Sequence, residues 1–273
     1  MYLDIPVIND YDIKNFKEIN YPVLIKNGCN DMLAIKKWNY KYLQKNFKNN
    51  KFKVQVFKKL IDSETTNLSH ISRGTYTEIL KNLYSKNTNI YLAGFPIEIY
   101  KNKISDNIFN DIKSKMDKFK KPKLQILFIG KNAKSGCHLH IEDDYILHQI
   151  FGYKTVYLFN YFDNKFELDN IFGFTNNFIK KNFFKLDHKL YKIYKVTLSP
   201  GNSLLIPPWW FHAVQNNGLS CSISNVYYRP NNNYLFNKPE LLIRSTYFKN
   251  RMFIILIILL LYLIYKYLYK KHE

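Results

Sequence analysis

A short segment near the middle of the chain carries three side chains that could bind a metal ion. It reads SGCHLHIE over residues 135–142. If the segment is a β-strand, successive side chains point to opposite faces, so His138, His140 and Glu142 share one face. Two imidazoles and one carboxylate form the ligand set of many non-haem Fe(II) sites. The spacing therefore favours a metal site in which His140 and Glu142 supply two ligands and a distant strand supplies the third.

A second segment offers that third ligand. It reads PGNSLLIPPWWFHAV over residues 200–214. A Pro-Gly turn begins a strand, two prolines end it, and an aromatic run leads to His212. A histidine among aromatic residues is often only a packed core residue. The order and separation of His212 relative to His140 and Glu142 favour ligation.

These segments resemble the Jumonji-C and cupin-like 2-oxoglutarate oxygenases. SGCHLH resembles the family's segment that ends in the first metal histidine, and GYK at residues 152–154 resembles the motif that opens the next strand. PGNSLLIPPWWFHAV resembles the segment around the second metal histidine and is the most specific part. The resemblance covers residues 4–230 and includes a weaker match in the N-terminal third.

The resemblance implies a set of ligands and a cosubstrate pocket. His140, Glu142 and His212 would bind Fe(II), and Lys154 would hold the distal carboxylate of 2-oxoglutarate. An inward-pointing lysine at the start of the apolar run TVYLF needs an anion, which agrees with this role. The resemblance also places Asn225 near the iron and the cosubstrate, and Tyr145 near a family asparagine, so both are candidates for the cosubstrate pocket.

A rival ligand set stays open beside this one. His138, His140, Asp144 and His212 resemble the general cupin pattern. His138 stands where the Jumonji-type segment often has proline, so the sequence favours His140 with Glu142.

The order of predicted elements favours a mostly β fold with some helix. Helical spacing is found over residues 12–20, 31–46 and 76–85, whereas from residue 124 onward short strand-like runs alternate with turns. This pattern predicts a double-stranded β-helix, the cupin and Jumonji-C barrel, preceded by helices. The strands predicted from residue 124 onward cover residues 124–129, 137–142, 145–150, 155–159, 192–198, 203–206 and 220–228, and earlier strands are predicted at 21–25, 52–56 and 90–92.

The C-terminus carries an apolar run that is not typical of the rest of the chain. MFIILIILLLYLIY at residues 252–265 is apolar on all sides, and flanking tyrosines and lysines extend it to residue 269. We expect one transmembrane tail anchor. The predicted organisation is an N-terminal α/β part (1–122), a barrel core (123–230), a linker (231–250) and the anchor (251–269). With no signal peptide, the catalytic part would face the cytosol.

Composition limits the remaining function classes. The chain has 273 residues and a net charge of +20, but its richness in Lys, Asn, Ile, Tyr and Phe is typical of AT-rich codon usage. We therefore do not favour nucleic acid as a partner. The three cysteines, Cys29, Cys137 and Cys221, form no CxxC pair and indicate a reducing compartment.

The expected function is that of a membrane-tethered Fe(II)- and 2-oxoglutarate-dependent hydroxylase. By the resemblance, the expected substrate is a protein side chain, and lysine demethylation or hydroxylation of a tRNA base is an alternative. A non-catalytic cupin that acts as a membrane-anchored binding or scaffold protein is the alternative from another class. Glu142 in place of the commoner aspartate is one departure that motivates it.

Overall fold

The protein is mostly β-sheet with few helices, as the sequence predicts. In this computed structural model, the structure describes residues 2–9, 18–47, 56–57, 71–72, 80–81, 84, 91–98, 101, 104–118, 120–140, 143–164, 168–171, 174–179, 181–229 and 260. The strands are β1 (Val7–Asn9), β2 (Val23–Lys26), β3 (Val56–Phe57), β4 (Ile71–Ser72), β5 (Tyr91–Pro96), β6 (Leu124–Lys131), β7 (Asp143–Asn160), β8 (Leu168–Ile171), β9 (Phe174–Ile179), β10 (Tyr194–Leu198), β11 (Ser203–Ile206) and β12 (Trp210–Tyr228).

Two long antiparallel strands, β7 and β12, form the centre of the main sheet. They pair from Trp210 opposite Asn160 to Tyr228 opposite Asp143. On the side of β7 that faces away from β12, β11 pairs with the first half of β7 and β10 pairs with the second half of β7. On the far side of β12, β6 pairs with the second half, and residues 133–138 lie along the first half. Beyond β11 lie β2 and β1, and beyond β6 lie β5, β3 and β4.

The two faces of β12 differ in what they bury. One face, here called the inner face, carries His212 and Val214, because alternate residues share a face. Ser222, which follows an irregularity in the pairing, lies on the same face, since its hydroxyl accepts from Lys154, the residue opposite Asn216. Val214 packs there with Val156 and Leu158 of β7 and with apolar residues of β10 and β11. The opposite, outer face carries Cys221 and Ile223, which pack against the N-terminal helical part of the chain.

A left-handed glycine lets β7 change direction halfway along its length. Gly152 has φ +68, and a Cβ added there would lie 2.0 Å from the carbonyl oxygen of Leu219 on β12. Only glycine allows both this backbone conformation and this close approach. The two predicted strands at 145–150 and 155–159 are therefore one bent strand. Likewise, the strand predicted at 220–228 is the second half of β12.

The helical part is short and is broken where the sequence predicts one continuous helix over residues 31–46. The structure has α1 (Ala34–Lys37), α2 (Tyr40–Phe47) and α3 (Asp106–Asp111), with 3-10 turns at Lys115–Lys118, Phe183–Lys185 and His188–Leu190. Trp38 ends α1 in an extended conformation, and its indole N–H donates to Asp111 at 3.2 Å. Asn39 then caps α2 by accepting from the Tyr42 N–H at 3.0 Å. A tertiary hydrogen bond and a local cap thus override helical periodicity.

The chain divides into two units, Met1–Tyr228 and Arg229–Glu273. Among the residues that the structure describes, no helix is long and apolar enough to cross a membrane. The predicted anchor at 251–269 lies outside the described residues except for Leu260, which is helical. Most of the helix predicted at 12–20 and most of the one at 76–85 also lie outside them; of residues 18–20, which are described, Glu18 is in a 3-10 turn and the other two are not helical.

Candidate metal centre

Backbone pairing places His138 beside His212. The N–H of His138 donates to the carbonyl of His212 at 3.1 Å, and the N–H of His212 donates to the carbonyl of His138 at 2.8 Å. This reciprocal pair is the hydrogen-bonded position of an antiparallel ladder, where opposite side chains project to the same face. The two imidazole centroids are 4.2 Å apart. The pairing therefore brings together two histidines that are far apart in the sequence.

His140 completes a three-histidine cluster. Its ring centroid lies 5.0 Å from those of His138 and His212. Candidate ligand atoms of the three residues all lie within 4.8 Å of one another. The ring of Tyr145 on β7 stacks on the imidazole of His140, with the two ring centroids 3.5 Å apart and an interplanar angle of 11°. The Tyr145 ring fixes the plane of His140, and burial raises the pKa of the phenol, which keeps it neutral.

Hydrogen bonds fix the tautomers of two of these histidines. Nδ1 of His138 lies 3.0 Å from the Gly136 carbonyl, and Nδ1 of His212 lies 3.4 Å from the Trp210 carbonyl. A carbonyl only accepts, so each Nδ1 carries the proton in the neutral ring and Nε2 keeps its lone pair. This is the arrangement of metal-ligating histidines, whose other nitrogen donates to a backbone carbonyl.

Loss of hydration keeps all three imidazoles neutral. It lowers the pKa of His138, and it lowers the pKa values of His140 and His212 well below the usual range. The neighbouring histidines lower the last two further, because like charges would be adjacent. Neutral imidazole is the form that binds a metal, and it suits iron among other transition metals. The donor set thus fits Fe(II).

A strained turn carries the backbone from β11 to the cluster. Trp209, between Pro208 and Trp210, has φ +67, a conformation that bulky residues rarely adopt. Its N–H donates to the His140 carbonyl at 2.9 Å, and its carbonyl accepts from the Tyr161 N–H at 3.0 Å. Strain of this kind persists where surrounding contacts impose it and is frequent at functional sites. Trp209 thereby ties the His140 segment to β12.

Asp144, the carboxylate of the rival ligand set predicted from the sequence, is not part of this cluster. Glu142 lies outside the described residues. Asp144 is buried on β7 opposite Tyr227, on the outer face with Ile146. Its neighbour Tyr145 points the other way and contacts His140, so alternation places Asp144 away from the cluster. The structure brings together His140 and His212 of the first predicted set, and His138 of the rival set.

Lys154 lies buried on the inner face and is only 1% exposed. Its Nζ donates to the Ser222 hydroxyl and lies 5.6 Å from the centroid of the Phe128 ring. No carboxylate of the described residues is within ion-pair distance, and burial lowers the pKa of Lys154 to about 7. A buried ammonium without an anion is costly, so this position fits the carboxylate of a ligand.

The structure places Asn225 on the other face of β12. Register with β6 is continuous from Leu219 to Val226, so Asn225 alternates with Ser222 and Ser224 and faces outward. Its side chain accepts from Gln125 at 3.0 Å and donates to the Tyr227 hydroxyl at 3.3 Å. The structure therefore does not bring Asn225 to the histidines or to Lys154.

Sequence reasoning missed a row of polar residues on the inner face. Gln149 donates to the Ser220 hydroxyl at 3.0 Å, and its buried Oε1 has no partner among the described residues. The buried Oδ1 of Asn216, directly opposite Lys154, likewise has none. The alternation of Ser220, Ser222 and Ser224 with apolar residues was the signal for this polar face.

The comparisons with known proteins agree with this geometry at the level of the family. Residues 10–234 match the family model described as a cupin-like domain. The chain therefore belongs to the cupin-like domain family, which confirms the resemblance found in its sequence. No curated protein matches the chain. The family and the three-histidine cluster together are compatible with a metal centre of the Fe(II) oxygenase kind.

Proposed function

We propose that the protein is an Fe(II)- and 2-oxoglutarate-dependent oxygenase that hydroxylates a protein side chain. The observation that carries the proposal is the cluster of neutral, oriented imidazoles of His138, His140 and His212 in a cupin-like chain. Bound together, Fe(II) and 2-oxoglutarate would supply oxidation of a C–H bond by molecular oxygen, with release of succinate and carbon dioxide.

The protein's own residues have distinct tasks in this proposal. His138, His140 and His212 would hold the metal, with Glu142 as the third ligand that the sequence favours in place of His138. Tyr145 holds the plane of His140 by stacking. Lys154, with the Ser222 hydroxyl, would bind the distal carboxylate and exchange an unpaired buried charge for an ion pair.

The wider architecture belongs to the proposal as well. We take the central strands and their paired flanks as a double-stranded β-helix, and we take residues 251–269 as a tail anchor with the catalytic part in the cytosol. The sequon Asn67-Leu68-Ser69 tests this topology. Expression in mammalian cells should give no glycan at Asn67, and a glycan removed by endoglycosidase would contradict the cytosolic orientation.

The test of function uses the full chain in mild detergent without oxygen. Fe(II) is titrated first and 2-oxoglutarate second, while the visible charge-transfer band of the chelate is followed. We expect a band in the wild type and in His188→Gln, a histidine outside the cluster, and no band in His212→Ala. Folded protein without a band would contradict the oxygenase and favour the non-catalytic scaffold.

Turnover is measured separately from binding. Succinate formation in air, with and without a candidate protein substrate, reports the reaction itself. A band without succinate above the buffer rate, across a broad set of peptides, would place the protein among binding modules.

A further inference from the structure

We propose that a cavity walled in part by Trp210 of β12 binds a lysine side chain of the polypeptide substrate; this rests on the proposed function. The cavity measures about 380 Å³ and is lined by Tyr21, Tyr194 and Trp210 together with Asp4 and Asp163. That volume is at the lower end of the range for ligand sites, roughly 300–1,000 Å³. A protonated amine on a flexible aliphatic stem is the chemistry that such a lining recognises.

The aromatic walls are held in place by contacts outside the cavity. The indole N–H of Trp210 donates to the Asn20 carbonyl at 2.9 Å. The Tyr194 ring meets the indole edge to face, with centroids 5.6 Å apart and an interplanar angle of 69°. Preformed aromatic rings attract a cation through their quadrupoles and cover its aliphatic stem.

The charge of the lining is opposite to that of the chain. The protein has 41 Lys and Arg against 21 Asp and Glu, yet the described residues that line this cavity include two aspartates and no basic residue. Asp4 has no ion-pair partner among the described residues. Asp163 has one, Lys192, at 3.6 Å, and both side chains are about half exposed. An exposed pair of this length is weak, so an incoming ammonium can replace Lys192.

The position of the cavity connects it to the histidines. Trp210 and His212 are two residues apart on β12 and share its inner face. Trp209 bonds through its backbone to His140 on one side and to Tyr161, close to Asp163, on the other. The cavity and the cluster are therefore joined through the first residues of β12, which carry both Trp210 and His212.

Binding can be tested without any oxygenase chemistry. The full chain in mild detergent, free of metal and 2-oxoglutarate, is titrated with the capped pentapeptide Gly-Gly-Lys-Gly-Gly, with its norleucine analogue, which lacks the amine, and with free spermidine. We expect the lysine peptide to bind about tenfold more tightly than the norleucine peptide, as one cation–π contact and one exposed ion pair together predict.

Variants locate the site. Asp4→Asn and Asp163→Asn should each weaken lysine-peptide binding about twofold, and together about three- to fivefold, with the rest of the preference left to the aromatic walls. Tyr21→Leu, at a half-exposed wall residue, should also weaken it. Asp106→Asn makes the same charge change at an exposed position of α3 and should have no effect.

Equal affinity for the lysine and norleucine peptides, or no loss in the double aspartate variant, would overturn the proposal. Tighter binding of spermidine than of the peptide would also overturn it, because the ligand would then be a free polyamine. Because this assay contains no metal, its failure leaves the oxygenase proposal standing. An absent charge-transfer band likewise leaves the lysine site standing.

Discussion

At the scale of single residues, the site depends on hydrogen bonds that the sequence does not reveal. The HxH spacing shows that His138 and His140 can share a face. Only the pairing of His138 with His212 brings the third histidine next to them. The lone pair on Nε2 of His138 likewise depends on the Gly136 carbonyl. Sequence reasoning therefore found the histidines, and long-range pairing decides which of them meet.

The choice between His138 and Glu142 as the third ligand can be tested directly. Loss of a residue that only hydrogen-bonds a metal ligand typically lowers metal affinity about 10- to 100-fold. Because His138 lies in the cluster itself, His138→Ala should lower Fe(II) affinity by at least this factor. Glu142→Gln, which keeps the size of the side chain, should change it little. Fe(II) titration under nitrogen measures both, and the reverse result would restore His140, Glu142 and His212 as the set.

The pKa of Lys154 near 7 predicts a pH dependence of cosubstrate binding. The protonated amine binds the carboxylate, and above pH 7 most of the free protein has lost that proton. With Fe(II) saturating, the Kd of 2-oxoglutarate should therefore rise about fivefold between pH 7 and pH 8. Lys154→Met should bind weakly, without this dependence, and should keep Fe(II). A cosubstrate affinity unchanged in Lys154→Met would remove Lys154 from the pocket.

Asn225 and Asp144 show the limit of residue-level transfer from a family. Both match expected positions in the sequence, but strand alternation places both on the outer face. A shift of one residue in register reverses every side chain of a strand, so a resemblance in spacing cannot fix the face.

At the scale of elements, hydrophobic alternation located some strands well and their continuity badly. Among the described residues of the strand predicted at 137–142, only His138 forms a bridge, and β8 and β9 were not predicted. β11 was predicted with its observed bounds, and β6 within two residues. The predicted break between residues 150 and 155 reflects the turn-like GYK motif. That glycine instead lies at a β-bulge, which bends a strand that continues, because β12 pairs with β7 on both sides of it.

Two glycines with similar backbones offer a matched test of this bend. Gly152 and Gly218 both have positive φ, but an added Cβ at Gly218 meets nothing within 4 Å, whereas one at Gly152 meets the Leu219 carbonyl. Gly218→Ala should cost about 1–2 kcal/mol from backbone strain alone. Gly152→Ala should cost about 1–3 kcal/mol more from the overlap. Urea unfolding measures both, and equal costs would contradict the close approach of the two strands.

At the scale of the whole molecule, buried bases make the fold sensitive to acid. His148 is fully buried, with Nδ1 2.7 Å from the Ser203 hydroxyl, and its buried Nε2 has no partner among the described residues. Burial lowers the pKa of His148 to about 3. Between that value and about 6.5 the unfolded chain binds more protons, so stability falls as pH falls.

This linkage predicts a measurable slope. Titration of His148 should cost the folded state about 2 kcal/mol on going from pH 7.5 to pH 5. His148→Gln keeps a polar partner for Ser203. Its free energy of unfolding should therefore fall by about 2 kcal/mol less than that of the wild type between pH 7.5 and pH 5. Urea unfolding with a chelator present isolates the effect from metal binding. Parallel losses in wild type and variant would show that His148 is not the titrating group.

The pairing of β7 with β12 also determines when the fold can be completed. Asp143, at the start of β7, pairs with Tyr228, at the end of β12, so the centre of the sheet joins residues that are synthesised far apart in time. On the ribosome, β7 stays without its main neighbour until residues 210–228 have emerged. Non-local pairing of this kind folds slowly and leaves apolar strand edges open meanwhile. A chain truncated before Trp210 should therefore be captured by chaperones as an unfinished sheet.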